Sequence, residues 1–110
     1  MKQIFDKVEQ AWRFTPQQYP SLPHVWTDHA KVAYSGHVLL HLMKQAGKLA
    51  ALFEPMAHNP MPSMESKRAA VADQVAKTIV DAVRLAQLAG VSAEDVESSL
   101  NFYYTEWEGE

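Results

Sequence analysis

The sequence contains no cysteine, and this excludes two kinds of site. Disulfide bonds and thiolate metal sites both require thiols. Long apolar runs are missing too. No uninterrupted apolar run approaches the length of a transmembrane helix, which is about 20 residues. The opening residues, MKQIFDKVEQ, are charged from the second position and lack the apolar stretch of a secretory signal. We therefore expect a soluble, cytoplasmic protein.

A strong charge of one sign is also absent. The formal net charge is −3, which argues against a general binder of nucleic acids or anionic membranes and leaves room only for local basic patches. Hydrophobic residues make up 47% of the chain, which is enough to form a folded core. Because the chain has 110 residues, we expect a single structural domain.

The spacing of the apolar residues predicts one long helix near the middle of the chain. This helix begins at the N-cap Thr27 and ends at Glu54, because Pro55 follows and the residue before a proline avoids the helical region. One apolar stripe runs along the helix and is expected to face a core. The stripe consists of Val32, Gly36, Leu39, Met43, Ala46, Ala50 and Phe53.

Three further helices are predicted from the same kind of spacing. They cover about 2–14, Ser63–Ala89 with Gly90 as its stop, and Ser92 to about Tyr104. No stretch alternates strictly as a half-buried strand does. The predicted fold class is therefore all-α, a helical bundle of two long antiparallel helices with a short helix at each end.

The chain divides into three segments around this bundle. Residues 1–26 form a helix and a proline-rich arm, 27–104 the main helical domain, and 105–110 an acidic tail. Each long helix would span roughly 40 Å, which is long for one small domain. We therefore expect a homodimer that shares the bundle core, whereas a monomeric antiparallel hairpin is the alternative.

Three aromatic residues, Trp12, Tyr19 and Trp26, lie in or beside the arm. Aromatic side chains mostly serve as large buried anchors, so we expect them to pack the arm onto the bundle. The alternative is that they are platforms on which bases stack.

Two stretches resemble the MazG-like, all-α nucleoside-triphosphate pyrophosphohydrolases. They are HLMKQAGKLAALFE and VADQVAKTIVDAVRLAQLAGVSAEDVESSL, and the resemblance covers about residues 37–101. It rests on Ala46-Gly47, Leu49-Ala50, the Val71-Ala72-Asp73 entry and the RLAQLAG exit. It implies a helical fold, and, in family members, magnesium held by carboxylates that organises a nucleoside triphosphate for attack by water.

The sequence departs from that family at the metal-binding positions. The acids of the family would fall at Lys44, Gln45, Lys48, Gln74 and Lys77, none of which is Asp or Glu. Magnesium requires hard oxygen ligands, and a protonated lysine cannot supply one. The resemblance therefore implies a catalytically degenerate member that uses no metal cofactor.

The same alignment predicts a site for a nucleotide or another phosphate-bearing anion. If Lys44, Lys48 and Lys77 occupy the family's ligand positions, three ammonium groups converge in one cleft and replace the charge of the metal. The wider candidate set adds His37, His41, Gln45, Gln74 and Asn101, the last near a phosphate-contacting Asn of the family. The alternative is that the first two lysines are exposed and that Lys77 pairs with Asp73 or Asp81.

Three other interpretations remain open. A register shift would place Glu54, Asp73 and Asp81 in the site of an active magnesium-dependent pyrophosphohydrolase. The histidines at positions 37 and 41 share one helix face and could bind zinc with a third histidine, although a neighbouring lysine opposes a cation. The candidates for that third ligand are His24, His29 and His58. The alternative for the pair at positions 37 and 41 is that they are ordinary polar residues that line the bundle. The last interpretation is a helical oligomerisation or partner-binding module without a small ligand.

Overall fold

The chain folds as an all-helical bundle in a computed structural model that describes residues 1–23, 25–58 and 64–104. These residues form four helices and no strand, which confirms the predicted all-α class with a short helix at each end. The helices are α1 (Lys2–Ala11), α2 (Asp28–His58), α3 (Met64–Leu88) and α4 (Ala93–Tyr103). Within the described part of the chain, no helix is long and apolar enough to span a membrane.

Side-chain caps fix the beginnings of α2 and α4. The Thr27 hydroxyl accepts a hydrogen bond from the Ala30 N–H at 3.1 Å, as expected for an N-cap. At α4, the Ser92 hydroxyl accepts from the Asp95 N–H at 3.1 Å, and the Asp95 carboxylate accepts from the Ser92 N–H at 2.9 Å. This reciprocal pair is the predicted capping box.

A glycine ends α3, as the sequence indicates. Gly90 has a φ of 77°, a left-handed conformation that side chains with a Cβ adopt only at a cost. The N–H of Val91 donates to the carbonyl of Ala86 at 2.8 Å, and the N–H of Gly90 donates to that of Gln87 at 3.0 Å. Together these two bonds form a Schellman motif that turns the chain toward α4.

The predicted helix ends are wrong at two places. The long helix does not stop before Pro55 but continues through it to His58. A proline lacks an N–H and crowds the preceding turn, so it disfavours a helix that continues far beyond it. In agreement with this, α2 extends only one turn beyond Pro55. The first helix ends at Ala11, since Trp12 is already extended with φ −113° and ψ 92°. The predicted cap Ser63 lies outside the described residues.

The two long helices form an antiparallel hairpin, and α1 packs beside it. Ala30, Tyr34 and Val38 near the start of α2 pack on Leu88 at the end of α3. Phe5 and Val8 of α1 form a second cluster, whose other buried members are Val83 and Ala93. The short helices therefore cover the open end of the hairpin.

An aromatic arm, residues 12–23, crosses the beginning of α2. The ring of Phe14 lies 4.2 Å from that of Tyr34, and the Tyr34 hydroxyl donates to the carbonyl of Pro23 at 2.6 Å. Trp12 and Tyr19 pack on the same cluster, which confirms that they anchor the arm. The ring of Trp26 contacts Tyr34 at 5.5 Å but remains 55% exposed.

The apolar stripe of α2 does not face the core of this chain, contrary to the prediction. Val32 is 71% exposed and Met43 is 63% exposed. Each residue adds about 100° around a helix, so the stripe lies roughly 150° from the residues that pack on α3. Those inner residues, such as Val38 and His41, follow a second helical repeat that mixes apolar and polar side chains.

Candidate functional site

Polar side chains line the interface between α2 and α3. We call this interface the polar seam. It comprises half-buried or buried residues on both helices: His37, His41 and Gln45 on α2, and Gln74, Thr78, Asp81 and Arg84 on α3. Because its members recur at spacings of three and four, each helix presents them on one side.

An imidazole pair forms the centre of the polar seam. The Nε2 atoms of His37 and His41 lie 3.1 Å apart, so one of them donates a hydrogen bond and the other accepts it. Their ring centroids are 4.7 Å apart in an edge-to-face arrangement. Burial lowers the pKa of His37, and the proximity of His41 lowers it further.

A carboxyl group faces this pair from α3. Asp81 is 5% exposed, and its Oδ2 atom has no hydrogen-bond partner among the described residues. Burial raises the pKa of Asp81, while attraction to a protonated His41 opposes that rise. The polar seam therefore contains an acid whose charged form is disfavoured by burial. The neighbouring imidazoles can balance that charge when one of them is protonated.

Three more buried atoms of the polar seam also have no hydrogen-bond partner within the described part of the chain. They are Oε1 of Gln45, Oε1 of Gln74 and Nε of Arg84. Buried polar groups are nearly always satisfied, and ordered water is a common partner. These atoms make the seam a polar and hydratable interface rather than an apolar core.

The predicted lysine cluster lies outside the polar seam. Lys44 and Lys48 are exposed one turn apart on α2. Lys77 is also exposed, and its Nζ forms an ion pair with Oδ2 of Asp73 at 3.0 Å. The remaining candidate, Asn101, is exposed on α4. Of the predicted anion-binding residues, the structure thus brings together the histidines and places the glutamines in the same seam.

The described residues contain no group of three or more His, Cys, Asp or Glu side chains that could hold a metal ion. His29 is exposed in the first turn of α2, whereas His24 and the side chain of His58 lie outside the described residues. Glu54 lies 13 residues beyond His41, or roughly 20 Å along α2. Asp73 is likewise about 12 Å along α3 from Asp81. Asp81 therefore lies apart from the other two acids of the alternative site.

A groove that the sequence did not reveal lies between α1, α3 and the arm. Its volume is about 450 Å³, and Arg13, Phe14, Trp26 and Arg84 form part of its wall together with acids of α1. The guanidinium of Arg84 lies 5.3 Å from the Phe14 ring centroid and donates to Oε1 of Gln87 at 2.9 Å. Burial lowers the pKa of Arg84, although Glu9 counteracts this. No local motif signals the groove, because its residues come from three separate segments.

No known protein family, characterised protein or solved structure matches this chain. The class of the protein therefore follows from its own geometry. It is an all-helical protein whose central hairpin encloses polar residues beside an apolar cluster and also exposes apolar residues.

Proposed function

We propose that this protein is a MazG-like helical module that is catalytically degenerate and functions as a homodimer. The observation that carries the dimer is the number of apolar residues that the long helices expose. On α2 and α3 the exposed large apolar residues are Val32, Leu39, Leu40, Met43, Phe53, Val75, Ile79 and Val80. Exposed large apolar residues in this number are typical of a protein interface.

The accessible surface supports this proposal quantitatively. The chain exposes 7953 Å², whereas a compact monomer of 12.4 kDa exposes about 6,100 Å². The excess is roughly 1,800 Å², and a standard interface needs only about 800 Å² from each partner. A surface of this size leaves room for an interface with a second copy.

The lengths of the helices explain why apolar residues of α3 remain exposed. The 10 residues of α1 span roughly 15 Å, but the 25 residues of α3 span roughly 37 Å. Because α1 packs near Val83, it cannot reach the same side of α3 at Val75 and Ile79. The partner would complete the bundle where the short helices end.

The chemistry of the polar seam supports the catalytic degeneracy. Gln45 and Gln74, which align with metal ligands of the MazG-like family, are both in the seam and contribute neutral amide oxygens. The only seam carboxyl is that of Asp81, and burial disfavours its charged form. A magnesium ion that organises a triphosphate needs several carboxylates, so metal-assisted hydrolysis lacks its ligands here.

Light scattering after size-exclusion chromatography tests the dimer. We expect wild type at twice 12.4 kDa, and Leu39→Lys/Met43→Lys at 12.4 kDa with unchanged far-UV circular dichroism. Phe102→Lys is the matched control, because Phe102 is an exposed apolar residue on α4, and this variant should stay dimeric. A monomeric wild type across a concentration series contradicts the proposal.

A second candidate function is the binding of a nucleotide or another phosphate-bearing anion. The observation that favours it is the pair of exposed ammonium groups, Lys44 and Lys48, one turn apart on α2. Lys77 contributes less to such a site, because its ion pair with Asp73 already balances its charge.

Thermal shift with nucleoside mono-, di- and triphosphates, in magnesium and in EDTA, tests this second function. A ligand that binds the folded state raises the melting temperature. We expect a shift that persists in EDTA, disappears in Lys44→Gln/Lys48→Gln and survives in the control Lys7→Gln. A shift seen only with magnesium would instead support an active magnesium-dependent pyrophosphohydrolase.

A further inference from the structure

The aromatic arm rests directly on the imidazole pair. The ring of Trp12 meets that of His41 at 5.7 Å and 76°, and the ring of Tyr19 meets that of His37 at 5.1 Å and 81°. Both are edge-to-face contacts, a favourable geometry for aromatic rings. The Trp12 Nε1–H donates to the Tyr19 hydroxyl at 2.9 Å, which ties the two arm residues together. The arm therefore docks on the pair as one unit.

The hydrogen bond within the pair limits how many protons it can carry. With Nε2 atoms 3.1 Å apart, one must bear a hydrogen and the other must be bare. A neutral pair satisfies this condition, and so does a pair with one imidazolium. When both rings are protonated, both Nε2 atoms carry hydrogens and two positive charges face each other. The second proton is therefore incompatible with the observed geometry.

The surrounding groups can balance one extra charge but not two. Asp81 is the carboxyl of α3 that faces His41, and a single carboxylate can balance one positive charge of the pair. The next charged side chain on α3 is Arg84, a cation, whose own acidic neighbour is Glu9 of α1. From the arm, the titratable side chain against the pair is the phenol of Tyr19.

We propose that the His37–His41 pair is a pH-sensitive latch, which holds the aromatic arm on the hairpin until the second imidazole is protonated. Release would uncover the cluster of Tyr34, Val38 and Leu88 beneath the arm. The sign follows from the pKa of His37, which burial and His41 lower from 6.5. The docked state then binds fewer protons than the released state, so docking is complete above pH 6.5 and weakens as the pH falls below it.

The emission of Trp12 reports the position of the arm. In a Trp26→Phe/Trp107→Phe background, Trp12 is the only remaining tryptophan of the three. Titrated in EDTA from about pH 8 to about pH 5, its emission should shift to the red while far-UV circular dichroism stays constant. The midpoint should lie below 6.5, the ordinary pKa of histidine.

Substitutions of the histidines separate the latch from general acid effects. His37→Gln/His41→Gln cannot be protonated, and we expect its emission not to change over the same range. The matched control is His29→Gln, an exposed histidine on α2 outside the arm contacts, which should retain the wild-type transition. A transition that persists in the double variant, or that vanishes in the control, overturns the latch.

A titration of the wild-type imidazoles by nuclear magnetic resonance covers the case in which the double variant does not fold. The latch requires the two rings to titrate in separate, coupled steps, with the second step at lower pH. Two independent titrations at the ordinary histidine value would overturn it. Constant Trp12 emission across the range would do the same.

Discussion

The two sides of α2 differ in which side chains they bury: one side buries polar residues at least in part, and the other exposes apolar residues. The inner side, which packs on α3 and the arm, includes His37, His41 and Gln45, all at least half-buried. The outer side carries Val32 and Met43, both mostly exposed. In a self-sufficient monomer, the hydrophobic effect would favour the reverse arrangement. The exposed outer side is what the proposed dimer requires, whereas the inner side buries Val38 together with half-buried polar residues.

Replacing one valine on each side of α2 should give the largest contrast. Val38 is 0% exposed, so Val38→Asp buries an unpaired charge and should cost at least about 4 kcal/mol of unfolding free energy. Val32→Asp, at an exposed position, should stay within about 0.5 kcal/mol at concentrations where the chain is monomeric. Urea denaturation measures both. Equal losses at the two positions would mean that the two sides do not differ in burial.

Substituting Asp81 tests whether the polar seam lowers stability. Burial raises the pKa of Asp81 above 3.8, so the folded chain binds more protons than the unfolded chain as the pH rises past that value. Asp81 therefore lowers stability as the pH rises through its raised pKa, and Asp81→Asn should remove this loss. At neutral pH we expect a gain on the order of 1 kcal/mol, which should shrink below pH 4 to about zero in the same urea titrations. A variant less stable than wild type at neutral pH would show that the carboxylate stabilises the seam.

Glycine substitutions compare a turn with the outer side of α2. Gly90→Ala places a Cβ at φ 77° and should cost about 1 kcal/mol. Gly36 lies within α2, and no atom beyond its chain neighbours and the local helix backbone lies within 4 Å of the position that a Cβ would take. Because alanine favours a helix more than glycine does, Gly36→Ala should stabilise the monomer by about 0.5–1 kcal/mol. Thermal denaturation measures both. If the same Gly36→Ala change weakens the dimer, the partner helix approaches closely at this position.

Local signals predicted most of the fold, and their failures have identifiable causes. The caps at Thr27 and Ser92 and the stop at Gly90 are correct, because each depends on bonds between neighbours in sequence. The end of α2 was misplaced, because Pro55 only weakens a helix that has one turn left. These boundaries show that local rules locate helices well but do not decide what their sides contact.

The candidate site was predicted only in part, because helical spacing does not say which stripe packs inward. The apolar repeat of α2 was the natural choice for the buried side, yet tertiary contacts bury the repeat that contains His37, His41 and Gln45. Asp81 was recognised as an acid, but its burial depends on α2 and is invisible in the sequence of α3. The arm contacts of the histidines link residues too far apart for any local pattern to reveal.

The ion pair between Asp73 and Lys77 should have the smallest effect. Both side chains are about half exposed, and such pairs one turn apart contribute only about 0.3–0.5 kcal/mol. Asp73→Asn should therefore change the unfolding free energy by less than about 0.5 kcal/mol and leave dimerisation unchanged. The same variant separates two interpretations, because the alternative hydrolase depends on Asp73 as a metal ligand. If magnesium-dependent nucleotide hydrolysis is found and Asp73→Asn abolishes it, the exposed side of α3 rather than the polar seam contains the active site.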